Sequence, residues 1–211
     1  MSDSDDMLLR RFAGASEGFA RRLRAVRPGQ WASPTPCSQW TVCDLVNHMA
    51  RGNLNYALIA HGGSGEEFLE LRDADALGAD PVAAFDQSTA RFLAAFGEPG
   101  ALDRIIDYPL GAASGRQLVG IRVTDSVVHT WDLARAAALN EKLDPDLVRW
   151  VLASLASTFD GIAESPVADG GAHRFFAAPP ATGPATTSPQ DRLLHLMGRN
   201  PGKSEWQPGA A

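Results

Sequence analysis

Apolar side chains recur along residues 7–26 at Leu8, Phe12, Ala15, Phe19 and Leu23, in steps of three and four. That spacing lays one buried stripe along an α-helix, and Arg27-Pro28-Gly29 closes it. A second stripe, Val42, Leu45, Val46, Met49, Asn53 and Tyr56, predicts a helix running to about residue 60. Thr41 is its N-cap, and Asp44, three residues on, resembles the acidic member of a capping box. Pro81 suits the first turn of a third helix with Val82, Phe85, Thr89, Phe92, Leu93 and Phe96 inside. Residues 117–139 carry apolar side chains on nearly every face, which predicts a helix buried at the centre. Asp144-Pro145 opens a further helix from Leu147 to Phe159, and 190–197 forms a short helical patch. Residues 66–80 show no clear period, and 102–117 reads as a long connection with one short strand. The pattern predicts an all-α fold, a bundle over 1–160 with a loose extension over 161–211 packed on it or trailing from it.

With 211 residues the chain is long enough for one sizeable core. A formal net charge of −6 supplies no basic stripe for a phosphate backbone, so nucleic acid is not an expected partner. The arginines at 21, 22, 24 and 27 alternate with apolar positions and read as a solvated helix face. Met1-Ser2-Asp3-Ser4-Asp5-Asp6 is acidic where a signal peptide is basic, and no stretch approaches the ~20 apolar residues of a membrane span. Cys37 and Cys43 fit no metal-ribbon spacing and read as reduced thiols. A cytoplasmic protein is the expectation.

The central helix carries the candidate chemistry. Asp125, His129 and Asp132 follow one another at steps of four and three, on the face that also bears Leu118, Ile121 and Ala136. Ionisable groups turned inward need compensation. A divalent ion supplies it, since carboxylate and imidazole are ordinary ligands in bundle cores; a polar core of ion pairs, Arg122–Asp125 or His129–Asp132, supplies it equally well. Among the other histidines, His61, His173 and His195 fall in loops or the C-terminal patch. His48 alone combines a helical base with a place beside the core, where a structural histidine is also common. No nucleophile elbow, phosphate loop or dinucleotide fingerprint occurs.

Two segments resemble a known family. Pro36-Cys37-Ser38-Gln39-Trp40-Thr41-Val42-Cys43-Asp44-Leu45-Val46-Asn47-His48 is similar to the first metal segment of the DinB-like metalloenzymes, nearest to the actinobacterial mycothiol-dependent maleylpyruvate isomerase-like proteins. Asp125-Ser126-Val127-Val128-His129-Thr130-Trp131-Asp132-Leu133-Ala134 resembles the second, and Asp191-Arg192-Leu193-Leu194 with Gly198-Arg199 resembles the family's tail. The resemblance implies a DinB-like four-helix bundle with a divalent metal on His48, Asp125 and His129, zinc first and nickel or iron also compatible. It implies mycothiol as a thiol cofactor and a small-molecule substrate, hence a metal- and thiol-dependent transferase or isomerase. Asp125 stands where the characterised isomerase has glutamate, a shorter ligand that bears on denticity and metal preference. Asp132 and Asp44 are then candidates for supporting the ligands or for structural roles, and Arg122 for binding a substrate carboxylate or pairing with Asp125. A non-catalytic metal-binding bundle and a metal-assisted hydrolase are the alternatives. Spare apolar faces leave a homodimer open.

Overall fold

A computed structural model of the chain describes residues 3–37, 39–161, 180 and 188–202. Seven helices occur among them: α1 Asp3–Leu23, α2 Val42–Ala60, α3 Gly65–Glu70, α4 Pro81–Gly97, α5 Gly115–Ala136, α6 Pro145–Thr158 and α7 Pro189–Leu196. Two short strands, β1 Ile105–Ile106 and β2 Ala113–Ser114, pair antiparallel. The all-α expectation holds, as the chain is mostly helical.

Local chemistry sets the helix starts. Thr41 accepts from the Asp44 amide while Asp44 accepts from the Thr41 amide, so two otherwise orphaned donors are satisfied reciprocally. Ser64 with Glu67 and Ser114 with Gln117 do the same for α3 and α5. Asp80, Asp144 and Ser188 each cap a helix with proline in its first turn. Helix α1 begins at Asp3 rather than at Met7, because Asp3, Asp5 and Asp6 suit the positive end of the helix dipole.

α1, α2, α4 and α5 form the bundle, with α1 against α5 and α4, and α2 against α4 and α5. Phe12 stacks on Phe92 at 3.9 Å between centroids, and Phe19 lies against Phe85 at 4.9 Å. α6 covers the remaining side of α5, and α7 packs on α6 through Leu193 and Leu194 in the same core. Enclosed on every side, α5 is buried along nearly its whole length, as its all-round apolar pattern predicts. Gly120 permits the close α5–α6 crossing, since a Cβ there would lie 2.9 Å from Thr158 Oγ1.

Two connections differ from expectation. Residues 65–70, aperiodic in sequence, make one short capped helix, and 102–117 contains a strand pair where one strand was expected. His173, placed in coil by the sequence pattern, lies outside the described residues, as does most of 161–211. Among the described residues no helix is long and apolar enough to cross a membrane.

Candidate metal centre

Arg122, Asp125, His129 and Asp132 run along the inward face of α5, and His48 faces them from α2. His48 Nε2 lies 3.3 Å from Asp125 Oδ2, and His129 Nε2 lies 3.1 Å from Asp125 Oδ1. All three ligand atoms lie within 4.8 Å of one another. Donors around a tetrahedral zinc at its usual bond lengths are about 3.4 Å apart, so these residues suit an ion without rearrangement of the helices. The side chains of His129 and Asp125 are 4% and 9% exposed, whereas that of His48 is 33% exposed. The group is therefore closed on the α5 side and open on the α2 side. Trp40 roofs part of this opening, its ring 4.7 Å from that of His48 and 5.9 Å from that of His129.

The outer edge of His129 is equally organised. Its Nδ1 lies 2.8 Å from Asp132 Oδ2, so the imidazole donates to a fully buried carboxylate. Arg199 binds the same carboxylate from the far end of the chain, with Nη2 2.6 Å from Oδ2 and Nε 3.2 Å from Oδ1. Cys37 joins this edge, donating its thiol to Asp132 Oδ2 at 3.3 Å, with Arg199 Nη2 3.2 Å from its sulfur. The sulfur is 3.8 Å from His129 Nδ1, the nitrogen turned away from Asp125. It thus supports the imidazole from behind instead of joining His48 and Asp125.

Electrostatics follow from these contacts. Burial would raise both carboxyls, yet His129, Arg122 and His48 hold Asp125 well below the usual carboxylate range, and Arg199 with His129 holds Asp132 at about 2. Burial would lower His129, but Asp125 foremost holds it well above the ordinary imidazole value. At His48 burial prevails over Asp125, and the value falls. In the metal-free protein His129 is thus the charged imidazole of the pair.

The remaining candidates separate clearly. Asp132 meets His129 at Nδ1. Asp44 does not approach the centre; its carboxylate is spent on the Thr41 cap, so its role is structural. Arg122 pairs with Asp125 through Nη1, and its side chain is 2% exposed, so of the two roles open to it in the sequence the ion pair is the one formed. Sequence reasoning missed Cys37, Trp40 and Arg199 as members of the site. The first two stand in the same segment as His48, which was the available signal.

Two imidazoles and a carboxylate are thus gathered from facing helices of the bundle. A family model described as the mycothiol maleylpyruvate isomerase N-terminal domain matches residues 12–134, and the chain belongs to that family. An uncharacterised protein of Mycobacterium tuberculosis, found in two strains, is 32% identical over 185 residues, 88% of this chain and 93% of the relative. Crystal structures of the mycothiol-dependent maleylpyruvate isomerase and of its histidine-to-alanine mutant share the fold. Their TM-scores are 0.56 and 0.59 at 17% identity, over 72% of this chain and 68% of theirs.

Proposed function

We propose that the protein holds one divalent ion, zinc foremost, on His48, Asp125 and His129, and works as a mycothiol-dependent transferase or isomerase of a small electrophilic substrate. The observation that carries this reading is a three-residue donor set closed by α5 and open beside His48. Catalytic sites keep such an open position, whereas structural zinc sites fill it with a fourth protein ligand.

Bound there, the ion supplies Lewis acidity that lowers the pKa of a thiol or water at its open position. The residues of the chain supply the rest. Asp132 takes the Nδ1 proton of His129 in a hydrogen bond and leaves Nε2 as the ligand atom, the arrangement that fixes tautomer and ring orientation at histidine metal sites. Arg199 keeps Asp132 ionised and in place. Trp40 excludes water from one side of the opening and offers a flat apolar wall to a ligand. Family membership supports mycothiol as the thiol.

The test is turnover of activated alkenes, epoxides and alkyl halides by zinc-loaded protein, with and without mycothiol. Consumption only in the presence of mycothiol is the expected result. Hydrolysis independent of thiol would replace this reading with metal-assisted hydrolysis, and a silent protein whose ion resists exchange would favour a structural site.

A further inference from the structure

Arg122 is an expensive residue for the core of a bundle. It is 2% exposed, and its Nε finds no hydrogen-bond partner among the described residues. A buried guanidinium with an unpaired donor adds little stability over an apolar side chain of similar volume. Yet α2 is shaped to receive it, from four positions on one helical face. Met49 O and Asn53 Oδ1 accept from Nη2 at 3.1 and 2.8 Å, and the Tyr56 ring lies 5.4 Å from Cζ. Gly52 leaves the space, since a Cβ there would stand 2.8 Å from Nη1. Asn53 is itself fixed by Ser88 and Thr89 of α4. The guanidinium so seated pairs through Nη1 with Oδ2 of Asp125, the oxygen that also lies 3.3 Å from His48 Nε2, while Oδ1 stays beside His129 Nε2.

We propose that Arg122 is a positioning residue that occupies one oxygen of Asp125 and offsets its charge, so that an ion held by His48, Asp125 and His129 retains its positive charge for an anionic thiolate ligand. This rests on the metal reading above and deepens it. A lone carboxylate ligand would cancel part of the ion's charge; the Asp125–Arg122 pair is neutral. The device therefore trades affinity for the metal against affinity for an anion. Across a few ångströms of poorly solvated protein, one added positive charge changes anion binding by about tenfold or more.

The test uses the cobalt(II)-loaded full chain and 2-mercaptoethanol, whose thiolate gives a sulfur-to-cobalt absorption band on binding. Cobalt affinity is measured separately by titration. In Arg122→Met, cobalt should bind no more weakly than in wild type, and thiolate at least about tenfold more weakly. Arg122→Lys, which restores the charge, should recover most thiolate binding. Gly52→Ala pushes the guanidinium from Oδ2 without removing it and should shift both affinities the same way by less, which covers the case of an unfolded Arg122→Met. Parallel loss of cobalt and thiolate, or unchanged thiolate affinity, would overturn the proposal and leave Arg122 a structural residue. Failure of wild type to bind cobalt would overturn the metal reading, and this proposal with it.

Discussion

The imidazole of His129 donates from Nδ1 to Asp132 across 2.8 Å, and its Nε2 is thereby presented to Asp125 3.1 Å away. The helix supplies this arrangement directly, because residues three and four apart share a face. Replacing Asp132 by asparagine keeps the shape and removes the charge. Asp132→Asn should retain the metal but bind it about 10- to 100-fold more weakly, as removal of such carboxylate partners generally does. Competition titration against a chromophoric chelator checks this; an unchanged affinity would deny Asp132 its supporting role.

Metal affinity should rise with pH. His129 is held well above the ordinary imidazole value in the metal-free protein, so an ion must displace a proton from it. Charged His129 stabilises the metal-free fold fully below an unfolded value of about 6.5, and that contribution is lost as pH rises through the raised folded value. The stabilisation by zinc, read as the rise in Tm on adding it, should therefore grow from about pH 6 to about pH 8. A flat or falling profile would contradict the assignment of the charged imidazole to His129.

Acid should act in part through Asp132. Its folded value of about 2 lies below that of the unfolded chain, so its contribution is present above about pH 4 and lost as pH falls towards about 2. That shift corresponds to about 2 kcal/mol for this fully buried group. Asp132→Asn should lose that pH dependence. Urea midpoints for both proteins between about pH 2 and about pH 5 measure the difference.

Asp44 offers the opposite test. Its carboxylate belongs to the α2 cap, so Asp44→Ala should cost about 1 kcal/mol of stability and leave metal content unchanged. Loss of metal on this substitution would place Asp44 in the centre after all.

The parts of the site legible in the sequence are those written by helix periodicity. Asp125, His129 and Asp132 share a face by spacing alone, and the caps of α2 and α5 set the registers of those helices. Joining His48 to them needed the family resemblance, because no local rule states which face of α2 meets α5. Arg199 was illegible for a different reason: its partners Asp132 and Cys37 stand 67 and 162 residues away. Cys37 reaches His129 only because the 31–41 loop folds back, with the Thr35 amide bonded to Trp40 O and Gln39 held at φ +74°. Ser64 and Glu67 spelled out the cap of α3, but six residues are too few for a stripe to declare itself.

The central claim is that His48, Asp125 and His129 together hold the ion. Metal analysis of purified wild type beside His48→Ala, His129→Ala and Asp132→Ala tests it most directly. About one equivalent of zinc in wild type, little in either histidine variant, and retention by Asp132→Ala at saturating zinc is the predicted result. Full occupancy in both histidine variants would contradict it.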